Sequence, residues 1–279
     1  EDCIDKSIQV KQMESFKITA KEFLLLCTAT DADEVYGVDD AYENLTEDNV
    51  EKEVRNAQKS LEEKNYIQSD FDGNSEIRDD LMELISCCVE CNNVISVDHA
   101  QGNKGQTNVV YYIQDEKVVK SEKKDDIYII GWLKKEMLYS DIKGLVKILP
   151  MERNNNIDKF HIPQNEVERA KESLAKKDKK AAVECFKQHC NTTTAELVAN
   201  ALDINDFYSI TEVEFKDKLD SVHNMMVFVT DTSLIKITPT VIDLIDETEF
   251  DNTTVAEIND TLDNYVKIVG TIVGEDGLN

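Results

Sequence analysis

Cys87, Cys88 and Cys91 fall within one five-residue stretch, and His189 and Cys190 stand side by side farther along the chain. Thiolates and imidazoles are the ligands that zinc takes, so this cluster raises metal binding first. The spacing argues against it. A structural zinc site pairs its ligands on tight turns, and on a helix Cys87 and Cys88 point too far apart to share one ion. Cys87 and Cys91, at i and i+4, share a helix face instead, which suits small core side chains. No metal or other cofactor is expected. Nucleophilic catalysis lacks a frame as well: there is no Gly-x-Ser-x-Gly elbow, and the four histidines (His99, His161, His189 and His223) follow no triad signature. Among 57 carboxylates some pair always lies at a hydrolytic separation, so their number carries no information. The segment Gly102-Asn-Lys-Gly105 lacks the spacing and the following helix of a phosphate loop. These residues point to a protein that is not an enzyme, with an enzyme of a class that leaves no motif as the alternative.

The elements that carry these residues show an internal likeness. Residues 109–120 (VVYYIQDEKVVK) and 225–236 (MMVFVTDTSLIK) align without a gap at a separation of 116 positions. In each, five apolar residues meet a polar four-residue block with Asp in the same place (Asp115, Asp231), then an apolar pair and a Lys (Lys120, Lys236). Both read as β-hairpins, with the two Asp side chains serving the turns. A lone hairpin is marginal in water, so two of them within helical sequence imply a duplicated α+β unit whose strands share one sheet. Residues 1–14 lack periodicity and read as a loose arm. Thr19 with Glu22 is a capping box opening a short helix through Cys27, and Thr46 can cap a longer one over Val50, Val54, Ala57 and Leu61. A third helix follows the turn at 70–75, and Val94, Ile95 and Val97 begin a strand. Gln101-Gly-Asn-Lys-Gly-Gln106 is an exposed turn between that strand and the first hairpin, Ile127–Leu133 is a further apolar run, and Tyr139–Leu149 reads as a helix stopped by Pro150.

The polar stretch Met151–His161 divides the chain into halves, 1–150 and 151–279, that together form one domain. Beyond it come Ile162-Pro163 and a charged helix from about 166 to 187, interrupted near Asp178. Capping boxes at Thr193/Glu196 and Thr254/Glu257 open further helices, the last bearing Val255, Ile258, Leu262 and Val266. Phe207–Phe215 alternates as a strand. Thr238-Pro239 reads as a cap followed by proline in a first helical turn, with Val241, Leu244 and Ile245 on that helix.

The chain has 279 residues, enough for an ample core without staples, and a net charge of −26 from 31 Lys and Arg against 57 Asp and Glu. Nucleic-acid phosphates and anionic membranes are repelled by such a surface, whereas a neutral or basic protein partner is not. Seven cysteines, Cys3 and Cys27 among them, form no small-domain framework, which places the protein in a reducing cytoplasm. No apolar run approaches the roughly 18 residues that a membrane helix needs.

Three passages resemble the EspG-type chaperones of type VII (ESX) secretion systems. Lys59-Ser-Leu-Glu-Glu-Lys-Asn-Tyr-Ile67, followed by a turn and an apolar helix, resembles that family's first helical region. Gly144-Leu-Val-Lys-Ile-Leu-Pro150, a polar stretch and then His161-Ile-Pro163 resemble its mid-chain passage. Val229-Thr-Asp-Thr232 with Ile237-Thr-Pro239 resembles its late strand, loop and helix start. The chain departs from the family in its charge, its Asn content and its cysteines. The resemblance implies an α+β fold with pseudo-twofold symmetry, a central antiparallel sheet flanked by two helical bundles, and a function of holding rather than chemistry. It implies a chaperone that keeps a helical secretion substrate soluble, whether a PE–PPE-like pair or a WXG- or LXG-type protein. By position, the sheet loop that grips it would be Gln101, Gly102, Asn103, Lys104, Gly105 and Gln106, or the turn at Asp115–Lys117. The C-terminal surface would carry Val241, Leu244, Ile245, Val255, Ile258 and Leu262. The rival binding function is an immunity protein whose acidic surface neutralises a basic secreted toxin.

Overall fold

A computed structural model describes residues 15–32, 35–43, 45–69, 75–102, 105–154, 156–216, 219–242 and 245–271. The arm at 1–14, most of the turn at 70–75, Asn103, Lys104 and Leu244 lie outside the described residues. The strands are β1 (Ser15–Thr19), β2 (Ile67–Ser69), β3 (Ser75–Ile77), β4 (Asn93–Gln101), β5 (Gln106–Gln114), β6 (Lys117–Lys124), β7 (Ile127–Leu133), β8 (Phe160–Pro163), β9 (Asp206–Phe215), β10 (Leu219–Val229), β11 (Leu234–Ile242) and β12 (Ile245–Thr253). The helices are α1 (Ala20–Thr28), α2 (Glu47–Glu63), α3 (Asp79–Val89), α4 (Leu138–Leu145), α5 (Gln164–Ala175), α6 (Lys179–Phe186), α7 (Thr192–Ile204) and α8 (Val255–Thr271). β2 and β3 pair apart from the rest. The other ten strands of the described residues form one antiparallel sheet in the order β1-β7-β6-β5-β4-β9-β10-β11-β12-β8.

That order reads alike from either edge. Four consecutive strands meander outward from the β4–β9 pair on each side, and the strand that opens each half, β1 or β8, closes the edge. Both hairpins expected from the sequence are present, and their registers agree with the 116-residue offset: Val110 faces Ser121 and Met226 faces Ile237. Asp115 adopts φ +54° in its two-residue turn, a conformation that Asp tolerates because its short side chain can bond locally.

Alternation along the strands sends side chains to two faces. On one face, α1–α3 cover a core that includes Val94, Val110, Tyr112 and Val213. On the same face of the other half, α5–α7 cover Phe228, Ile235, Ile237 and Phe250, where the Phe160 and Phe250 rings stack with centroids 5.0 Å apart. On the opposite face, α4 and α8 cover the middle of the sheet, including Ile95, Tyr111, Ile210, Met225 and Val227.

The capping box at Thr19 and Glu22 is formed, and Glu257 makes the same reciprocal bonds with Thr254 at the start of α8. Asp178 caps α6, which is where the long charged helix breaks. Other expectations need correction. The helix expected at Thr238–Ile245 is instead the end of β11 and the start of β12: the β-branched run Ile237-Thr-Pro-Thr-Val-Ile242 fits a pleated strand, and it pairs with β12 from Ile237↔Phe250 to Ile242↔Ile245. Asn191, not Thr193, accepts the capping bond at the start of α7, from the Thr194 N–H at 2.8 Å. α4 stops at Leu145, short of Pro150. The edge strands β1 and β8 are too short for alternation to announce them.

Candidate partner-binding surface

The expected loop joins β4 to β5. Gln101 ends β4, Gln106 begins β5, and Gly102 and Gly105 take positive φ of +53° and +116°. The described ends of this loop are held in place. The Gly102 N–H donates to the Asn205 carbonyl at 3.0 Å and the Gln101 N–H to the Gly105 carbonyl at 3.1 Å. A Cβ on Gly102 would come within 3.0 Å of the Ile204 carbonyl oxygen. Beside the loop, the His99 ring stacks on Tyr208 at 3.9 Å and its Nε2 lies 3.3 Å from the Asp206 carboxylate. The other proposed loop, Asp115–Lys117, turns at the opposite end of the sheet, next to the β9–β10 connection.

Of the C-terminal residues expected to meet the partner, the five that are described do not form one surface with the loop. Val241 and Ile245 belong to strands at the far end of the sheet, because β11 runs away from the Thr230–Ser233 turn that lies at the loop's end. Val255 is half-buried at the start of α8, and Ile258 and Leu262 are each 1% exposed in the core beneath it. Their i, i+4 spacing marks the face of α8 turned to the sheet, so they hold the helix in place rather than meet a partner.

Sequence reasoning missed the channel between the two helical groups. On the face shared by α1–α3 and α5–α7, the middle strands carry Asp98, Asn108, Ser209, Thr211 and Asn224, all half-buried. Asn108 donates to Asp98 at 2.7 Å, and the Asn224 amide donates to Thr211 at 2.7 Å and Ser209 at 3.1 Å. These bonds give the polar floor a fixed shape. The segment Tyr36–Asp39 walls one side. It borders a cleft of about 520 Å³ with Asp98, Asn108, Lys123 and Asp125, and another of about 610 Å³ with Cys91, Asn92, Phe215 and Lys216. Exposed apolar side chains rim the second cleft's end of the channel: Tyr36, Leu219 and Val222. The signal was present, since polar residues interrupt the apolar pattern of β4, β9 and β10 at alternate positions.

The described cysteine thiols are poorly placed to act as nucleophiles. Burial pushes the Cys27 and Cys91 thiols up to about 12 and Cys87 and Cys190 up to about 11, so none of these is a thiolate at neutral pH. The Cys87 and Cys88 side chains pack in the core under α3. His161 sits between Glu249 at 3.4 Å and Glu247 at 3.9 Å, and His189 lies 3.2 Å from Glu166. Among the described residues no three His, Cys, Asp or Glu side chains gather to hold a metal ion, and no helix is long and apolar enough to cross a membrane. Burial raises the Glu212 carboxyl, which is fully enclosed beneath α8. Asn93 donates to its Oε1 at 3.3 Å and Oε2 has no partner, while His223 and Asn93 pull the other way.

No family model matches the chain, and no curated protein does. A solved structure does. The type VII secretion system chaperone EspG5 of Mycobacterium tuberculosis, determined in complex with a PE25–PPE41 dimer, aligns over 92% of this chain and 95% of its own with a TM-score of 0.54. This chain has the EspG5 fold. The sequences are 11% identical, so the likeness resides in the architecture: a broad antiparallel sheet with helices gathered at its two halves.

Proposed function

We propose that this protein is a chaperone that binds a helical substrate of a type VII secretion system and keeps it soluble for export, acting in the cytoplasm and without catalysis. The observation that carries this reading is the correspondence with the EspG5 chaperone across nearly the whole of both chains. The residues agree with a holding role. The channel offers a shaped polar floor with an apolar rim, Tyr36, Leu219 and Val222, and a helix laid into a groove is a common mode of recognition. Covering the apolar tip of a secreted helical hairpin removes an aggregation hazard. The halves 1–150 and 151–279 act as one unit, with the Gln101–Gln106 loop, or the Asp115–Lys117 turn at the opposite end of the sheet, as the gripping tip. The substrate is a WXG- or LXG-type helical protein or a PE–PPE-like pair. Its contact surface is neutral or basic, because the chain carries a net charge of −26.

The test is capture of the candidate substrate by variants. Lys104→Glu weakens capture and leaves the fold intact, because turn tips tolerate change; deleting residues 101–106, which also removes the Gly102 bond to Asn205, weakens capture further. Unchanged capture in both variants removes the loop from the gripping surface. A strongly basic toxin domain as the stoichiometric partner would move the function to immunity.

A further inference from the structure

β10 and β11 pair regularly from Val229↔Leu234 to Met226↔Ile237, and among the described residues their ladder then stops. Both strands continue. β10 stays with β9 as far back as Leu219, with a register shift between Leu219 and Ser221, and β11 stays with β12 as far as Ile242. The sheet is therefore split between β10 and β11. The first hairpin, with the matching register, pairs without interruption out to Asn108↔Lys123.

The sequence accounts for the split. The Thr230 N–H donates to the Ser233 carbonyl at 3.0 Å across the hairpin end. Backbone groups alternate in direction, so Phe228, Met226, Asn224 and Val222 aim theirs at β11, while Ile235, Ile237 and Pro239 aim theirs at β10. Pro239 has no N–H to give. The ladder ends at the position where proline removes the donor. On its other side, Pro239 faces Thr248 of β12, where its missing N–H is not needed.

Two unlike edges result. The β11 edge carries proline, which resists further pairing. The β10 edge, Leu219-Asp-Ser-Val-His-Asn-Met225, carries neither proline nor lysine, and it aims the N–H and C=O groups of Val222 and Asn224 into the split. Leu219 and Val222 are 55% and 52% exposed there. Their partners on β9, Phe215 and Val213, place both on the channel face.

We propose that the β10 edge from Leu219 to Met225 is a strand-addition site for an extended segment of a partner, with apolar side chains at alternate positions and basic residues at its flanks. Backbone bonds to Val222 and Asn224 would supply affinity, and an apolar side chain of the guest would cover Val222. Basic flanks follow from the net charge of −26, which also opposes closure by a second copy of equal charge. The inference stands apart from the helical-substrate reading, because the guest here is extended.

The probe is a lysine-flanked peptide of alternating threonine and valine, followed by backbone hydrogen exchange. Peptide at about ten times its Kd slows exchange of the Val222 and Asn224 amides roughly tenfold. Val222→Pro removes only the donor facing the split, and Val222→Lys places a charge on the edge. Each weakens peptide binding at least about tenfold, a loss of ~1.4 kcal/mol, while far-UV circular dichroism stays unchanged in Val222→Lys. No protection at these amides, equal binding by Val222→Lys, or protection confined to β1 or β8 would overturn the proposal. Protection that rises with protein concentration without peptide would also overturn it, by giving the edge to a second copy.

Discussion

Glu22 ties three elements together, and its removal has a calculable effect. Its carboxylate is 1% exposed, takes the Thr19 N–H at 2.7 Å, and bonds the Lys64 ammonium through both oxygens at 2.7 Å. It thus joins the end of β1, the first turn of α1 and the C-cap of α2. Burial alone would raise this carboxyl, but bonds from Lys64, Ser60 and the Thr19 backbone win and hold it below its usual value. Glu22→Ala loses the return bond of the capping box from the Thr19 N–H, about 1 kcal/mol, and a charge-assisted hydrogen bond to Lys64, about 1.5–3 kcal/mol. Breaking a fully buried pair costs about 3–5 kcal/mol. The lower sum applies, because the Lys64 side chain keeps 31% exposure and can turn to water. The expected loss is about 3 kcal/mol, or about 1 M in urea midpoint for an m-value near 3 kcal/mol/M. The folded pKa lies below the unfolded one, so this stability is fully present above the unfolded value, about 4.3, and is lost as pH falls through the folded value. Urea melts of wild type and Glu22→Gln should therefore differ clearly at neutral pH and converge in strong acid. A midpoint loss for Glu22→Ala below about 0.3 M, or an equal gap between wild type and Glu22→Gln at both pH values, would refute this account of the junction.

Other substitutions probe the remaining cores. Phe250→Ala opens the stack with Phe160 and the edge contact with Phe186, and should cost about 3–5 kcal/mol in a chemical melt. For Glu212 the pH sign is opposite to that of Glu22. Its folded pKa is raised, so the group destabilises the protein as pH rises through and above the unfolded value, and Glu212→Gln should flatten the fall in stability between acid and neutral pH. Melts at both pH values, compared with wild type, read this directly.

Much of the fold was legible because its signals are local. The capping boxes at Thr19 and Thr254 and the gapless likeness of the two hairpins are short-range patterns that tertiary packing left standing. Thr238-Pro239 misled because proline after a cap residue fits a helix start, whereas here proline marks the side of a strand that loses its neighbour. β1 was invisible because Phe16 and Ile18 give a single alternation, and only the pairing with β7 makes them a strand. The candidate site was less legible. Ile258 and Leu262 have the spacing of a helical stripe, which says that a face is covered but not by what. The channel depends on strands far apart in sequence, Asn108 beside Asp98 and Asn224 beside Thr211, and no linear pattern announces that juxtaposition.

The central claim is that the protein holds a secretion substrate, and the most direct test is a tagged pull-down from the native cytosol with mass spectrometry of every stoichiometric partner. The account predicts a small helical substrate of a type VII secretion system, released when residues 101–106 are deleted. A lane without a partner, or one holding a basic toxin domain instead, would contradict it.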